Sequence, residues 1–292
     1  MNTCPWCNTP SSNTHIRLKD YFLSQEEFEI KECPSCGLLF TVPRPAPEHM
    51  GKYYQSKNYF SHQENQTGFI PRIYEWVKSF NLKNKVKMAT FGLPPGRVLD
   101  IGCGVGDFLL QMKQSGWEVQ GIEPSNEAKA IAQKRLGFTP LAPSDYSLLD
   151  DASFDLITLW HVFEHVDDLK SQTSEIMRLL KPNGRLVIAV PNYQSFDCQY
   201  YKDKWAAWDV PRHLNHFSTH TLCSILSSVG FTVLWANHLR WDAYYISYLS
   251  EQYLHHSLPL IRGAFRGLVS NLKARSSNNW SSMVYFFEKE GL

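Results

Sequence analysis

The chain has 292 residues, of which 43% are hydrophobic and 20% are charged, and its formal net charge is +1. This length allows one sizeable core together with an accessory module. A nearly neutral balance gives no general attraction to nucleic acid or to an anionic bilayer. The first ten residues lack the basic and apolar stretches of a signal peptide, and no apolar run is long enough to span a membrane. We therefore expect a cytoplasmic protein without a transmembrane segment.

Two Cys-x-x-Cys pairs, Cys4/Cys7 and Cys33/Cys36, are separated by 25 residues. Disulfides are disfavoured in a chain without an export signal, whereas a tetrahedral Zn²⁺ takes four thiolates presented by two such turns. The spacing predicts a structural zinc ribbon over residues 1–42. Four sulfur ligands would leave no open position for catalysis. The alternative is that four thiols remain without a metal.

Prolines at positions 43, 45 and 47 end the ribbon and begin a connecting segment, residues 43–69. The main domain is expected over 70–292, beginning with a helix from Ile70 to Phe91. From Arg97 onward, short apolar runs alternate with amphipathic ones, which predicts a parallel sheet covered by helices. Strands are expected at 97–101, 118–122, 155–160, 185–190, 231–236 and 282–288. Helices are expected at 106–115, 125–136, 168–180 and 219–229, with a helical insertion at about 242–272.

An apolar strand, beginning at Val98, runs through Asp100 into a turn containing Gly102, Cys103 and Gly104. Such a turn lets backbone and cofactor approach closely. The next predicted strand ends at Glu123, whose carboxylate can accept both hydroxyls of a ribose. A glycine turn alone would equally suit a nicotinamide-dependent dehydrogenase.

Four segments together resemble successive motifs of class I S-adenosylmethionine-dependent methyltransferases: 98–108, 121–125, 153–158 and 179–184. The resemblance extends to bacterial type-23 and quinone methyltransferases, and it implies a doubly wound, mostly parallel, seven-stranded α/β sheet with S-adenosyl-L-methionine as cofactor. The acid directly before the glycines also distinguishes this family from dehydrogenases. The cofactor-binding residues that the resemblance implies are Asp100, Gly102, Cys103, Gly104, Glu123, Pro124, Asp145, Tyr146 and His161.

After the third predicted strand of the main domain comes His161-x-x-Glu164-His165. The same pattern occurs on zinc-protease helices, but that interpretation needs a third ligand and leaves the upstream cofactor motifs unexplained. In quinone and sugar methyltransferases, which this segment resembles, a Glu-His pair borders the substrate pocket. Some of those relatives bind a divalent ion through three side chains, here matched by His161, Glu164 and His165. Where the quinone enzymes have a carboxylate, this chain has His161. The alternative is therefore that Glu164 and His165 bind no metal and only position cofactor or substrate.

A second cluster, Trp205 to Ser218, follows the next strand and resembles the Pro-Arg-His-Leu segment of bacterial methyltransferases of glycan pathways. Exposed tryptophans, an acid, an arginine and histidines would together form an acceptor pocket. We predict substrate contacts from Glu164, Trp208, Asp209 and Arg212. Because a histidine can take a proton at neutral pH, His213 is the first candidate for a general base and His165 the second. The alternative for His213 is a structural hydrogen bond to a backbone carbonyl.

These features predict methyl transfer to a small-molecule or glycan acceptor, most simply at a hydroxyl. An RNA methyltransferase is one rival, but residues 1–50 carry four Lys and Arg against six acids, which suits phosphate poorly and makes nucleic acid an unexpected partner. A deoxysugar C-methyltransferase is another, in which Tyr53, Tyr54 and Tyr59 would reach the pocket. The third is an inactive scaffold. The insertion at 242–272 could cover the pocket, contact lipid headgroups or simply pack as a helix.

Overall fold

The computed structural model describes residues 3–54 and 81–290. The strands are β1 (Thr14–Lys19), β2 (Glu27–Glu32), β3 (Leu39–Val42), β4 (Arg97–Ile101), β5 (Glu118–Ile122), β6 (Phe154–Trp160), β7 (Leu180–Pro191), β8 (Asn215–His216), β9 (Phe231–His238) and β10 (Ser282–Lys289). The helices are α1 (Pro47–Met50), α2 (81–89), α3 (Asp107–Gln114), α4 (Asn126–Leu136), α5 (Leu169–Leu179), α6 (Phe196–Tyr201), α7 (Thr219–Ser227), α8 (Asp242–Tyr253) and α9 (Pro259–Ser277). The first part of the helix expected over 70–91 lies outside the described residues.

Six strands form the main sheet in the order β5-β4-β6-β7-β10-β9. The first four run parallel, and β10 is antiparallel to both of its neighbours. The predicted doubly wound, mostly parallel sheet is confirmed, but the expected count of seven strands is not reached within 3–54 and 81–290. At the seventh position there is a single parallel bridge between Ile122 and Leu141. Pro140 and Pro143 flank that bridge and cannot donate to a ladder, which limits its length.

The central strands carry almost continuous apolar runs because helices cover both faces of the sheet. Leu156, Ile157 and Leu159 of β6 are fully buried, as are residues 186–189 of β7. The predicted strands and most helices agree with the structure within a few residues. Ser218 caps α7 as its sequence position suggests, with its hydroxyl oxygen accepting the Thr221 amide at 3.2 Å.

The N-terminal module is an antiparallel sheet, β1-β2-β3, to which the main domain adds β8 as a fourth strand. Leu39 and Phe40 of β3 pair with the two residues of β8. Leu38 and Phe40 also belong to one apolar cluster with Leu222 and Ile225 of α7. The module therefore shares both hydrogen bonds and a core with the main domain. The boundary near residue 42 stays a prediction.

The insertion expected at about 242–272 is a pair of helices, α8 and α9, and the second helix continues to Ser277. Residues 254–258 connect the two helices. The last of them, Leu258, has a left-handed backbone (φ +57°), and Pro259 then begins α9. Across the part of the chain that is described, no helix has the length and apolarity needed to cross a bilayer.

Candidate active site

The turn after β4 is held against the end of β5. The amides of Gly102 and Cys103 donate to the Ile122 carbonyl at 2.7 and 3.1 Å. Gly102 has a φ of +73°, and a Cβ there would lie 2.4 Å from the Val162 side chain. Gly104 has a φ of +54°, and a Cβ there would have no atom within 4 Å. Close packing therefore requires the first glycine, whereas the second borders open space that a cofactor can enter.

Glu123 follows β5 with only 7% of its surface exposed. One carboxylate oxygen accepts the Gly104 amide and the other accepts the Ser125 amide, both at 2.8 Å. These bonds orient the carboxylate and join the two predicted cofactor segments. Each oxygen retains a lone pair, which suits it to accept a pair of ribose hydroxyls.

Asp100 is buried at the end of β4, where the Thr158 hydroxyl donates to Oδ1 at 2.6 Å. Burial raises the pKa of Asp100 to about 7, although Thr158 and the nearby Lys85 oppose the shift. Burial also lowers the pKa of Lys85 on α2, against the attraction of Asp242 and Asp100. Lys85 is a residue that the motif pattern missed, because it lies before the first strand of the main domain.

The segment predicted to flank the adenine lies beside the bridge at Leu141. Asp145 accepts the Ala142 amide at 3.0 Å and thereby shapes the turn. The Tyr146 hydroxyl bonds to Gln172, and burial raises the pKa of Tyr146 to about 12. Pro124 lies exposed beside Glu123. Cofactor contacts from these three residues stay predictions.

His161 follows β6 with a left-handed backbone (φ +59°) and lies between two carboxylates. Its Nε2 is 2.9 Å from Asp242 Oδ2, and its Nδ1 is 3.3 Å from Glu164 Oε1. Although burial favours the neutral ring, Asp242 and Glu164 raise the pKa of His161 to about 9. Both ring nitrogens of this imidazolium face carboxylates. His161 therefore links the loop after β6 to the first residue of α8.

Glu164, His165 and His213 come together beside this bridge, with one potential ligand atom from each within 4.8 Å of the others. Glu164 Oε1 has the His161 ion pair at 3.3 Å, but neither Glu164 oxygen makes a hydrogen bond among the described residues, although the side chain is only 2% exposed. Burial would raise the pKa of Glu164, but its contact with His161 holds that pKa below the ordinary value. A buried, ionised carboxylate in this state attracts a proton donor or a cation.

The ring centroids of His165 and His213 are 4.6 Å apart, and the two ring planes are nearly perpendicular. His165 Nδ1 is 2.9 Å from the Arg212 carbonyl, and His213 Nδ1 is 2.8 Å from the Ala207 carbonyl. Because a carbonyl only accepts, each Nδ1 carries a hydrogen, so Nε2 is the atom of each ring that is left to bind or release a proton. Burial, reinforced by His213, lowers the pKa of His165 to about 4. The Tyr54 hydroxyl lies 3.2 Å from His165 Nδ1.

The expectation that Trp205 and Trp208 would be exposed is wrong, since each is 2% exposed. The Trp205 indole donates to Asp197 at 2.7 Å and the Trp208 indole donates to the Lys202 carbonyl at 2.8 Å. Their polar N–H groups therefore find partners inside the protein, and their rings fill its core. The Trp208 ring packs against the His216 ring, with 5.1 Å between ring centroids, and offers no open stacking face.

Arg212 is likewise buried, at 1% exposed, and its predicted contact with substrate stays a prediction. Its guanidinium pairs with Asp20 of the ribbon and Asp209 of the same loop, both at 2.7 Å, and donates to the Tyr53 carbonyl at 3.0 Å. All three guanidinium nitrogens are engaged. Asp209 is thereby tied to Arg212, although 23% of its side chain remains exposed. The sequence could not show this link, because Asp20 and Arg212 lie far apart along the chain.

The four cysteines of the N-terminal module converge, with sulfur–sulfur distances of 3.6 Å for Cys4–Cys36, 3.4 Å for Cys7–Cys33 and 3.7 Å for Cys7–Cys36. Four sulfurs at about 2.3 Å from one tetrahedral centre would be roughly 3.8 Å apart. The donor set and its spacing therefore fit a tetrahedral thiolate site.

Residues 73–235 match the family described as "Methyltransferase domain". Similar curated proteins include demethylmenaquinone methyltransferase of Thermotoga maritima, 35% identical over 48% of this chain and 64% of the relative. Another is the ubiquinone biosynthesis O-methyltransferase of Alkalilimnicola ehrlichii, 31% identical over 35% of this chain and 44% of the relative. These matches span about half the length of the relatives.

Solved structures with a similar fold include two methyltransferases. Phosphoethanolamine N-methyltransferase 2 of Haemonchus contortus, with bound S-adenosyl-L-methionine, has a TM-score of 0.55 and 19% identity, covering 86% of this chain and 62% of that one. Magnesium protoporphyrin IX methyltransferase of Synechocystis, with bound SAH, has a TM-score of 0.52 and 16% identity, covering 83% of this chain and all of that one. With its matched domain, sheet order and glycine turn, the chain belongs to the class I S-adenosylmethionine-dependent methyltransferases.

Proposed function

We propose that this protein transfers a methyl group from S-adenosylmethionine to a hydroxyl of a small-molecule or glycan acceptor. The observation that carries this proposal is the cluster of Glu164, His165 and His213 beyond the carboxyl ends of the parallel strands. Ligands of open α/β sheets bind at that edge. The names of the quinone methyltransferases among the relatives support a small-molecule acceptor.

The residues after β4 and β5 fit the cofactor. Gly104 leaves room for it, Glu123 offers the ribose-binding lone pairs, and Asp100 carries a carboxyl directed by Thr158. When bound, S-adenosylmethionine supplies a methyl group on an activated sulfonium. The protein's remaining tasks are to align the acceptor, exclude water and accept a proton.

His213 is the proposed proton acceptor, because its Nδ1–H bond to Ala207 leaves the Nε2 lone pair as the basic atom. As the acceptor oxygen took the methyl group that the cofactor supplies, its hydroxyl proton would pass to His213 Nε2. Glu164 stabilises the resulting imidazolium, and His165, whose pKa is about 4, stays neutral beside it.

We further propose that the ribbon holds Zn²⁺ through Cys4, Cys7, Cys33 and Cys36, and that its role is to fix the loop bearing His213. The Thr41 amide donates to the Leu214 carbonyl at 3.0 Å, and the Thr41 hydroxyl donates to the His213 carbonyl at 2.7 Å. The Asp20–Arg212 pair provides a second link. These contacts give the acidic ribbon an intramolecular task that requires no RNA.

A C-methyltransferase is the second candidate, favoured by the contact between Tyr54 and His165. His213 would then take a proton from an activated carbon instead of a hydroxyl. Acceptors offered in a screen should therefore include phenols, sugars, lipid-linked glycans and carbon acids.

The cofactor assignment is tested by calorimetry of S-adenosylmethionine binding to the parent and to Glu123→Ala. We expect micromolar binding by the parent and its loss in the variant. Unchanged binding in Glu123→Ala would remove Glu123 from the site. No binding by folded parent protein would instead favour the scaffold hypothesis.

The base assignment is tested with His213→Asn once an acceptor is found, with release of S-adenosylhomocysteine as the readout. We expect kcat to fall about 10²- to 10⁴-fold while cofactor affinity is retained. His220→Asn is the matched control, because His220 is exposed on α7. Equal kcat values in the two variants would exclude His213 as the base.

A further inference from the structure

The most unusual surface of the described chain is the outer side of α9. Its large apolar side chains point away from the protein, and five of them are between 46% and 68% exposed. We call this surface the α9 outer face: Leu260, Ile261, Phe265, Leu268 and Leu272. A contiguous exposed patch of this kind marks an interaction site.

The inner side of α9 explains why the large residues face outward. Its buried row consists of small residues at helical spacing: Gly263, Gly267, Ser270 and Ala274. A Cβ at Gly263 would lie 2.6 Å from Tyr248 Cα, and one at Gly267 would lie 2.7 Å from Tyr244 Cα, so α8 and α9 pack backbone to backbone. The inner row is filled by α8, and no space remains there for the leucines.

A row of cations lies between these two rows. Arg262, Arg266 and Lys273 each follow a residue of the outer face and precede one of the inner row, and Arg275 lies in the last turn. No Asp or Glu occurs between Glu251 and Glu288. Glu251 pairs with Arg262, whereas no ion pair within residues 81–290 involves Arg266, Lys273 or Arg275.

An apolar face bordered by unneutralised cations matches the chemistry of an anionic lipid surface. It does not suit a second copy of the same face, since that contact would bring like charges together. Arg266 also stacks on the ring of Tyr200 at 4.1 Å, and Tyr200 is itself partly exposed. A tyrosine and an arginine at the margin of an apolar face are typical of side chains at the depth of lipid headgroups.

We propose that the α9 outer face binds the surface of an anionic membrane, with the helix lying in the plane of the interface. α8 connects this face to the candidate active site, because Asp242 at its first residue bonds His161. The net charge of the whole chain conceals this local basic and apolar surface.

The test is sedimentation of the full chain with phosphatidylcholine vesicles and with the same vesicles containing phosphatidylglycerol. We expect binding to the anionic vesicles that weakens with salt. Phe265→Ser combined with Leu268→Ser should reduce partitioning at least about tenfold. Lys273→Gln and Arg275→Gln should each reduce it about fivefold. Leu148→Ser is the matched control, because Leu148 is 70% exposed outside α9 and its loss should change nothing.

All five substituted side chains are exposed, so melting temperatures should match the parent and exclude misfolding as the cause. Absence of binding to either vesicle would overturn the proposal, as would equal, salt-independent binding to both. A concentration-dependent dimer that Phe265→Ser dissociates, without vesicle binding, would assign the face to a second copy and also overturn it.

Discussion

The buried ion pair between Arg212 and Asp20 should stabilise the fold rather than bind substrate. The two side chains are 1% and 0% exposed, and their atoms approach to 2.7 Å. Arg212→Met would leave the Asp20 carboxylate buried without its cation. Removal of one partner from such a pair costs about 3–5 kcal/mol.

The lower end of that range applies here, because Asp20 keeps the amides of Phe22, Leu23 and Ser24 as donors. At about 2 °C per kcal/mol for a chain of this size, the melting temperature should fall by roughly 6 °C. Calorimetry or circular dichroism measures this shift. Arg17→Met is the control, because Arg17 is 78% exposed in its pair with Glu29, and its melting temperature should equal that of the parent.

The stability lost in Arg212→Met should decrease as the pH falls. Burial alone would raise the pKa of Asp20, but the bonds from Arg212 and Ser24 hold it below its ordinary value. A carboxyl with a depressed pKa stabilises the fold above its unfolded pKa of about 4 and loses that contribution as the pH falls through its folded pKa. The unfolding free energies of the parent and of Arg212→Met should therefore become more similar in acid.

A double-mutant cycle with Asp20→Asn isolates the pair, and Arg212→Lys provides a charged variant if Arg212→Met does not fold. A melting temperature within about 1 °C of the parent, together with a large rise in the acceptor KM, would refute the structural role and restore Arg212 to the substrate pocket.

Three further predictions concern the cofactor turn, the imidazolium bridge and the ribbon. Gly102→Ala should destabilise the protein by about 1–3 kcal/mol because of its positive φ and its clash with Val162. Gly104→Ala shares the strain of a positive φ but not the clash, so it should cost less stability and should also weaken cofactor binding, as thermal melts and calorimetry would show. Asp242→Asn should lower the pKa of His161 from about 9, as an NMR titration would show. A histidine whose pKa is raised in the folded state stabilises the fold fully below its unfolded pKa of about 6.5 and loses that contribution as the pH rises through 9. The difference in unfolding free energy between variant and parent should therefore vanish above pH 9. If the proposed Zn²⁺ is bound, a chelator or Cys36→Ser should lower the zinc content below one per chain and reduce kcat more than cofactor affinity. Unchanged melting and activity without zinc would exclude the proposed positioning role.

The glycine turn after β4 and the acid after β5 were predictable in position because their signals are local. A strand, a glycine turn and an acid at the end of the next strand are short-range patterns, and the structure joins Gly104 to Glu123 by a hydrogen bond of 2.8 Å. Parallel strands with both faces covered must be apolar, so their positions could also be determined from sequence. The Cys-x-x-Cys pairs likewise predicted that four sulfurs would converge.

In the predicted acceptor pocket, the burial of each side chain and its hydrogen-bond partners depend on contacts between residues far apart in the sequence. A tryptophan and an arginine in a loop suit a pocket or a core equally well, and only the positions of Asp197 and Asp20 place Trp205 and Arg212 in the core. His161 gains its raised pKa from Asp242, which is 81 residues away. The sequence predicted helical structure at about 242–272, where the structure has α8 and most of α9. It could not orient α9, because Gly263 and Gly267 let the two backbones touch and the leucines therefore face outward. Local pattern thus determined the cofactor turn and the strands, while tertiary packing decided which polar groups are neutralised, and therefore which remain for chemistry.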